Sequence, residues 1–327
     1  MKAFKERIFN IKDDESFERL ALEVFHYQYV NNKTYRQYCD YLKRPPTNID
    51  HYTEIPFLPV SFFRSHKIVS GTAPIELVFS SSGTTSEQSS NHHLTEIALY
   101  EQSFQKAFHV FYGQPTEYCV LALLPSYLER EGSSLVYMAN RLIELSGHSD
   151  SGFYLYNLDA LSRVLIRLKE AGQKTLLLGI TYALLDLVHT YPMLFPDLIV
   201  METGGMKGRR REMIREEVHA VLSKGLGVEK VHSEYGMTEL LSQAYSNGDG
   251  LFHTPPWMRI LIRDTNDPLS FLPEGRTGGI NIIDLANINS CSFVEVQDLG
   301  RKHKDGHFEV LGRFDNSQVR GCNLLVV

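Results

Sequence analysis

Between Phe79 and Ser90, eight hydroxyl side chains surround one glycine, in the order Phe79-Ser80-Ser81-Ser82-Gly83-Thr84-Thr85-Ser86-Glu87-Gln88-Ser89-Ser90. A loop of this composition turns tightly and can aim backbone N–H groups and hydroxyls at phosphate oxygens. A solvent-exposed serine-rich linker has the same composition. It is not a Walker A loop, because the spacing G-x-x-x-x-G-K-[ST] occurs nowhere in the chain. Four further short groups of chemistry-bearing residues follow: Glu202-Thr203-Gly204-Gly205-Met206-Lys207-Gly208, Tyr235-Gly236-Met237-Thr238-Glu239, Asp298-Leu299-Gly300 and Gly312-Arg313-Phe314-Asp315.

In that order, S-S-G-T-T-S, G-G, Y-G-x-T-E, D-L-G and G-R-x-D resemble the motif series of the adenylate-forming superfamily, which includes acyl-CoA ligases, peptide-synthetase adenylation domains and luciferases. Any one of these motifs is weak, but five in sequence across residues 79–322 are specific. Within the superfamily the chain looks most like the LuxE-type acyl-protein synthetases. The residues that carry this likeness are Ile55-Pro56-Phe57-Leu58-Pro59-Val60-Ser61-Phe62-Phe63, Leu124-Pro125-Ser126-Tyr127-Leu128-Glu129-Arg130, Gly132-Ser133-Ser134-Leu135-Val136-Tyr137-Met138 and the ending Val319-Arg320-Gly321-Cys322.

The resemblance implies a chemistry. A carboxylate repels nucleophiles and offers only oxide as a leaving group, and joining it to AMP cures both defects. Attack on the α-phosphorus of ATP needs a neutralised triphosphate, a metal and a fixed nucleotide. By resemblance, Ser81, Ser82, Gly83, Thr84, Thr85 and Ser86 wrap the triphosphate. Family loops often carry a lysine a few residues on, whereas Glu87, Gln88, Ser89 and Ser90 stand here. Gly204 and Gly205 let adenine approach the backbone. Tyr235, followed by Gly236, stacks on the base, Thr238 lies near the α-phosphate, and Glu239 holds Mg2+ as a hard oxygen ligand. Asp298 accepts the ribose hydroxyls and Arg313 reaches ribose or phosphate. Tyr127 and Ser133 are placed at the rim of the acid pocket. Lys207, Arg209, Arg210 and Arg211 read as the solvated start of a helix, His92 and His93 as a solvated pair, and His232 as a packing residue.

Asp315 stands where larger relatives hinge to a C-terminal lid with a catalytic lysine, and only twelve residues of this sequence follow it. Cys322 lies among them, beside Arg320 and Gly321. By resemblance it is the acceptor: its thiolate takes the acyl group as a thioester for an acyl reductase or acyl-carrier partner. Two other readings stay open, namely a ligase that uses coenzyme A or a carrier thiol, and a non-catalytic nucleotide-binding accessory protein. A metal-dependent hydrolase is set aside, since no H-E-x-x-H or comparable cluster accompanies the 13 histidines.

The elements that must position these residues follow from periodicity. Apolar residues recur at helical spacing over Asp14 to Asn31, and a second helix is expected over Thr34 to Leu42 before Pro45, Pro46, Pro56 and Pro59 break regularity. Strand-like runs at Glu76–Phe79, Tyr118–Leu124, Thr175–Leu178, Leu198–Met201 and Lys230–His232 alternate with helical patterns near 94–111, 132–146, 158–171, 180–190 and 208–223. Such alternation predicts an α/β fold whose mostly parallel sheet is covered by helices, with ligands at the strand ends. Later strand-like runs at Met258–Ile262, Gly279–Ile283, Phe293–Val296 and His307–Val310 predict a smaller β-rich lobe. The expected division is a helical N-terminal segment packed on the core (1–70), a nucleotide-binding core (71–240) and a β-rich lobe with the acceptor tail (241–327). The resemblance adds that this is the superfamily's large domain without the usual lid.

With 43% apolar and 22% charged residues, the chain is neither collagen-like nor wholly disordered. Its net charge of -6 argues against a polyanion such as nucleic acid as the main partner. Four cysteines without a C-x-x-C pair point to reduced thiols in a cytoplasm, with Cys39, Cys119 and Cys291 expected in the core. No apolar run reaches the roughly 18 residues of a membrane span.

Overall fold

The computed structural model describes residues 2–81, 89–126, 130, 132–204 and 213–314. The first elements are helical: α1 (Lys2–Ile8), α2 (Asp14–Asn31) and α3 (Lys33–Tyr41). Asp13 caps α2 by accepting from the Ser16 N–H at 2.8 Å, and Phe17, Leu20, Ala21, Val24 and Phe25 form its buried stripe. A short strand β1 (Leu58–Pro59) and helix α4 (Phe62–Ser65) follow.

Next come β2 (Leu77–Ser80) and β3 (Asn91–Leu94), then α5 (Ile97–Tyr112), β4 (Cys119–Leu123), α6 (Ser134–Ser146), β5 (Gly152–Phe153) and α7 (Leu158–Glu170). They lead to β6 (Thr175–Gly179), α8 (Thr181–Thr190), β7 (Ile199–Glu202), α9 (Arg215–Leu226) and β8 (His232–Tyr235). In β4 every residue is buried: Val120 and Ala122 face one core with α5 and α6, while Cys119, Leu121 and Leu123 face another with α7, α8 and α9. A strand buried on both faces loses its polar alternation, which is why this run reads as continuously apolar.

The remaining strands are β9 (Ala244–Ser246), β10 (Phe252–His253), β11 (Met258–Arg263), β12 (Thr277–Asp284), β13 (Phe293–Lys302) and β14 (Phe308–Arg313). One 12-stranded sheet runs in the order β11-β12-β13-β14-β10-β9-β8-β7-β6-β4-β5, with β1 paired to β13. Strands β4 to β8 are parallel, and from β9 onward the main path is antiparallel. The expected α/β class, helix-covered parallel sheet and β-rich C-terminal stretch are borne out.

Two expectations need correction. The Glu76–Phe79 run was expected to open the parallel sheet and to lead through the serine-rich loop into a helix. Instead β2 pairs antiparallel with β3 in a separate two-stranded sheet, so the loop joins two strands of a hairpin. The sequence Asn91-His92-His93-Leu94 hid β3 because its inward positions include a histidine. The strand expected at Lys230–His232 lies further on, as β8.

Candidate functional site

Strand ends create the site. A cleft of about 430 Å³ opens beyond the C-terminal ends of β6, β7 and β8, reached by Ile180, Gly204 and Gly236. This is where ligands bind in open α/β sheets.

The hydroxyl loop meets this cleft at both its roots. Ser81 and Ser90 line it, and they pin each other: the Ser90 N–H donates to Ser81 Oγ at 2.9 Å and the Ser81 N–H to the Ser90 carbonyl at 3.0 Å. Ser82, Gly83, Thr84, Thr85 and Ser86 lie outside the described residues, as do Gly205, the Lys207–Arg211 cluster, Tyr127 and Cys322. Gly204 is described, in a left-handed turn at φ +74°. Its N–H donates to Glu202 Oε1 at 2.7 Å, and Glu202 also accepts from the Thr181 hydroxyl. Glu202 thus fixes the turn after β7, a use that nothing in the bare motif shows.

The Tyr235–Glu239 segment is the most heavily braced part of the site. Thr238 and Glu239 both line the cleft, with Glu239 only 5% exposed. Their carbonyls are held from behind: His92 Nδ1 lies 2.8 Å from the Thr238 oxygen, and Asn287 Nδ2 donates to the Glu239 oxygen at 2.8 Å. His92 Nε2 lies 3.1 Å from Asn287 Oδ1. His92 is therefore not the solvated residue expected. It is fully buried, and burial pushes its pKa down to about 4.

Buried Asp284 clamps the following residues. Its Oδ2 accepts the N–H groups of Leu241 at 2.8 Å and Ser242 at 3.0 Å, while its Oδ1 accepts the Ser242 hydroxyl at 2.6 Å. Trp257 Nε1 donates to the same hydroxyl oxygen at 2.9 Å. Glu239 is pushed above the usual carboxylate range by burial, opposed by a hydrogen bond from Ser90 and by the charges of Arg313 and Arg64.

Asp298 and Arg313, fifteen residues apart, are register partners on β13 and β14. Asp298 Oδ1 accepts from Arg313 Nε at 3.2 Å and Oδ2 from the Tyr235 hydroxyl at 2.8 Å. Arg313 lines the cleft. The Tyr235 ring packs edge-on against Phe252 and Phe308 and is not among the cleft-lining residues, whereas the adjoining Gly236 is. Gly236 leaves room for two neighbours: a Cβ there would stand 2.4 Å from Glu234 Oε1 and 3.3 Å from Gln243 Cγ, so the Glu234 carboxyl would have to move.

The cations missing from the hydroxyl loop come from elsewhere. Arg64 on α4 and Arg130 join Arg313 along the cleft. Ser133 also lines it while capping α6 through its hydroxyl, 3.4 Å from the Val136 N–H. His232 contacts the Tyr112 hydroxyl at 3.1 Å, in keeping with a packing role. Cys39, Cys119 and Cys291 are buried, and burial raises their thiol pKa values, that of Cys39 to about 12 and that of Cys119 to about 11. Among the described residues no group of three His, Cys, Asp or Glu side chains could hold a metal alone.

This architecture is shared with adenylate-forming acyl-CoA ligases. An open form of 2-hydroxyisobutyryl-CoA ligase, in complex with 2-HIB-AMP and CoA, superposes at a TM-score of 0.63 over 94% of this chain and 72% of that one, at 13% identity. ATP-bound MatB from Rhodopseudomonas palustris gives 0.53 over 74% of this chain at 18% identity. The match covers 49% of MatB, so the chain spans about half the length of that relative.

Sequence comparison narrows the likeness to the one read from the motifs. The family model described as acyl-protein synthetase, LuxE, matches residues 6–129. The long-chain-fatty-acid–luciferin-component ligase of Vibrio harveyi is 23% identical over 333 residues, covering 94% of this chain and 86% of that protein. The chain resembles the LuxE-type acyl-protein synthetases on an adenylate-forming fold. Among the described residues no helix is long and apolar enough to cross a membrane.

Proposed function

We propose that this protein is an ATP-dependent acyl ligase that activates a carboxylic acid, by likeness a fatty acid, as its adenylate and passes the acyl group to its own Cys322. The observation that carries this reading is the convergence of Ser81, Gly204, Gly236, Thr238, Glu239 and Arg313 on one cleft, although they are drawn from distant parts of the chain.

In the first step a carboxylate oxygen attacks the α-phosphorus of ATP, an acyl-AMP bond forms and pyrophosphate leaves. Arg64, Arg130 and Arg313 offset the triphosphate charge, and the hydroxyl loop donates to its oxygens. Asp298 receives ribose hydroxyls on the lone pairs that Tyr235 and Arg313 leave open. The residues fit Mg2+, which favours one or two carboxylates plus phosphate oxygens and water over an all-protein cage. Glu239 would be that carboxylate, and the ion when bound would supply shielding of the phosphates and stabilise charge on the leaving pyrophosphate. In the second step the Cys322 thiolate attacks the acyl carbon, AMP leaves, and the thioester awaits an acyl reductase or acyl-carrier partner.

Exchange of labelled pyrophosphate into ATP, dependent on an added acid, tests the first step, and silence across a broad acid panel would remove it. Intact-mass analysis tests the second: an acyl adduct cleaved by hydroxylamine and absent in Cys322→Ser is expected. Acid-dependent exchange without an adduct, together with AMP release on addition of coenzyme A, would instead make the acceptor an external thiol.

A further inference from the structure

One wall of the cleft carries polar groups that the adenylation chemistry does not use. Glu234 lies on β8 directly opposite Tyr245 of β9, and Gln243 lies two residues before Tyr245, at the entrance to the same strand. Glu234 and Gln243 both line the cleft, and both press against Gly236. Gln243 is 4% exposed, yet its side-chain oxygen has no hydrogen-bond partner. The hydroxyl of Tyr245, whose buried ring packs on Phe111 and Tyr112 and does not line the cleft, has none either. Among the described residues Glu234 makes no hydrogen bond or ion pair, and its strongest charged neighbour is Glu202, a like charge.

Buried polar groups in folded proteins nearly always find partners, and an unpartnered buried oxygen such as that of Gln243, on the lining of a ligand cleft, marks a place where a ligand can supply one. The lining of the same cleft also holds the apolar side chains Leu135, Met138 and Ile180. A plain alkyl chain would satisfy those three and leave the Gln243 oxygen and Glu234 without partners among the described residues. A chain bearing a group that donates hydrogen bonds satisfies both sets.

We propose that Glu234 and Gln243 form a recognition subsite for the acyl portion of the substrate, and that the acid this protein activates bears a hydroxyl or amino group that hydrogen-bonds to them. The inference rests on the adenylation reading above and names the substrate class within it. Burial beside Glu202 pushes Glu234 up to about 8, so near neutrality it is mainly the uncharged acid. In that state it hydrogen-bonds a hydroxyl without requiring a positive charge on the ligand.

The test is pyrophosphate exchange with hexanoate, octanoate and dodecanoate, each as the plain acid and as its alpha-, beta- and omega-hydroxy and omega-amino derivatives. In the parent protein at least one substituted acid should exceed its plain counterpart tenfold or more in kcat/KM, since a site built to hydrogen-bond a polar group rejects the analogue that lacks it. Gln243→Leu should shrink that ratio at least fivefold. Glu234→Gln, which keeps the shape, should alter the hydroxy-to-amino preference. Plain acids matching or exceeding every derivative, or a ratio unchanged in Gln243→Leu, would overturn the subsite while leaving adenylation standing. Exchange with none of the acids overturns the adenylation reading and the subsite with it.

Discussion

Asp298 and Arg313 face each other across β13 and β14, and the Asp298 carboxylate is shared between the Arg313 guanidinium at 3.2 Å and the Tyr235 hydroxyl at 2.8 Å. Three of the sequence motifs therefore meet at one carboxylate. Asp298→Ala should raise the KM for ATP about tenfold or more, since hydrogen bonds to a charged group are worth ~1.5–3 kcal/mol and ~1.4 kcal/mol is tenfold. Tyr235→Phe keeps the packing on Phe252 and Phe308 and should raise it only a few-fold. Steady-state exchange against ATP concentration checks both, and an unchanged KM in Asp298→Ala would take the nucleotide away from this carboxylate.

Glu239→Gln removes one full charge from the proposed metal ligand while keeping the size of the side chain. Exchange should slow on the order of a hundredfold, which corresponds to ~3 kcal/mol in the transition state. Near-parental exchange at saturating Mg2+ would mean that the ion is held by other groups.

Asp284 bears on stability more than on chemistry. Replacing it by Ala leaves the N–H groups of Leu241 and Ser242 and the Ser242 hydroxyl without their buried acceptor, each at a cost of ~1–3 kcal/mol. We expect a loss of ~3 kcal/mol or more in urea unfolding, together with slower exchange, because the same segment carries Thr238 and Glu239. Asp284→Asn, which retains one acceptor oxygen, should lose less. A urea midpoint equal to the parent's in Asp284→Ala would contradict the clamp.

Glu234 gives the protein a pH-dependent contribution of defined sign. Its carboxyl holds a proton in the folded chain up to about 8, while an ordinary glutamate releases it near its usual ~4.3. Its favourable contribution is therefore complete below the ordinary value and is lost as pH rises towards about 8. The Tm of Glu234→Gln relative to the parent should be higher at about pH 9 than at about pH 5. Equal Tm differences at the two pH values would show that this carboxyl titrates normally.

The parts of the molecule legible in the sequence are those where a local rule decides the outcome. Helix α2 begins and ends where its cap and apolar stripe place it, and β4 is visible because both its faces are apolar. The motif series located the cleft because backbone turns at strand ends demand particular residues. What stayed hidden depends on partners far away. His92 looks polar and exposed until β3 carries it beneath the Thr238 carbonyl, a contact across 146 positions. Arg64 looks like a surface residue of the N-terminal segment until the pairing of β1 with β13 brings that segment to the cleft. Arg263 would be read as solvated, yet it is 6% exposed. It donates to the Ile280 and Val296 carbonyls in space that a Cβ on Gly279 would fill, 2.4 Å from its guanidinium carbon. Glu234 and Gln243 carry no motif, and only their shared contact with Gly236 singles them out.

Gln28 of α2 donates to the Asn287 carbonyl and accepts from the Ser292 N–H, contacts that span 259 and 264 positions. On a ribosome, the residues that complete this arrangement emerge only after nearly nine tenths of the sequence has been made. Phe17 and Phe25 of α2 find Tyr52 and Tyr35 early, but the part of the helix that meets Phe293 must wait through most of translation. Long-range closure of this kind slows folding and leaves intermediates prone to aggregation. Yield in cells should therefore depend on chaperone supply and growth temperature more than the stability of the finished protein would suggest.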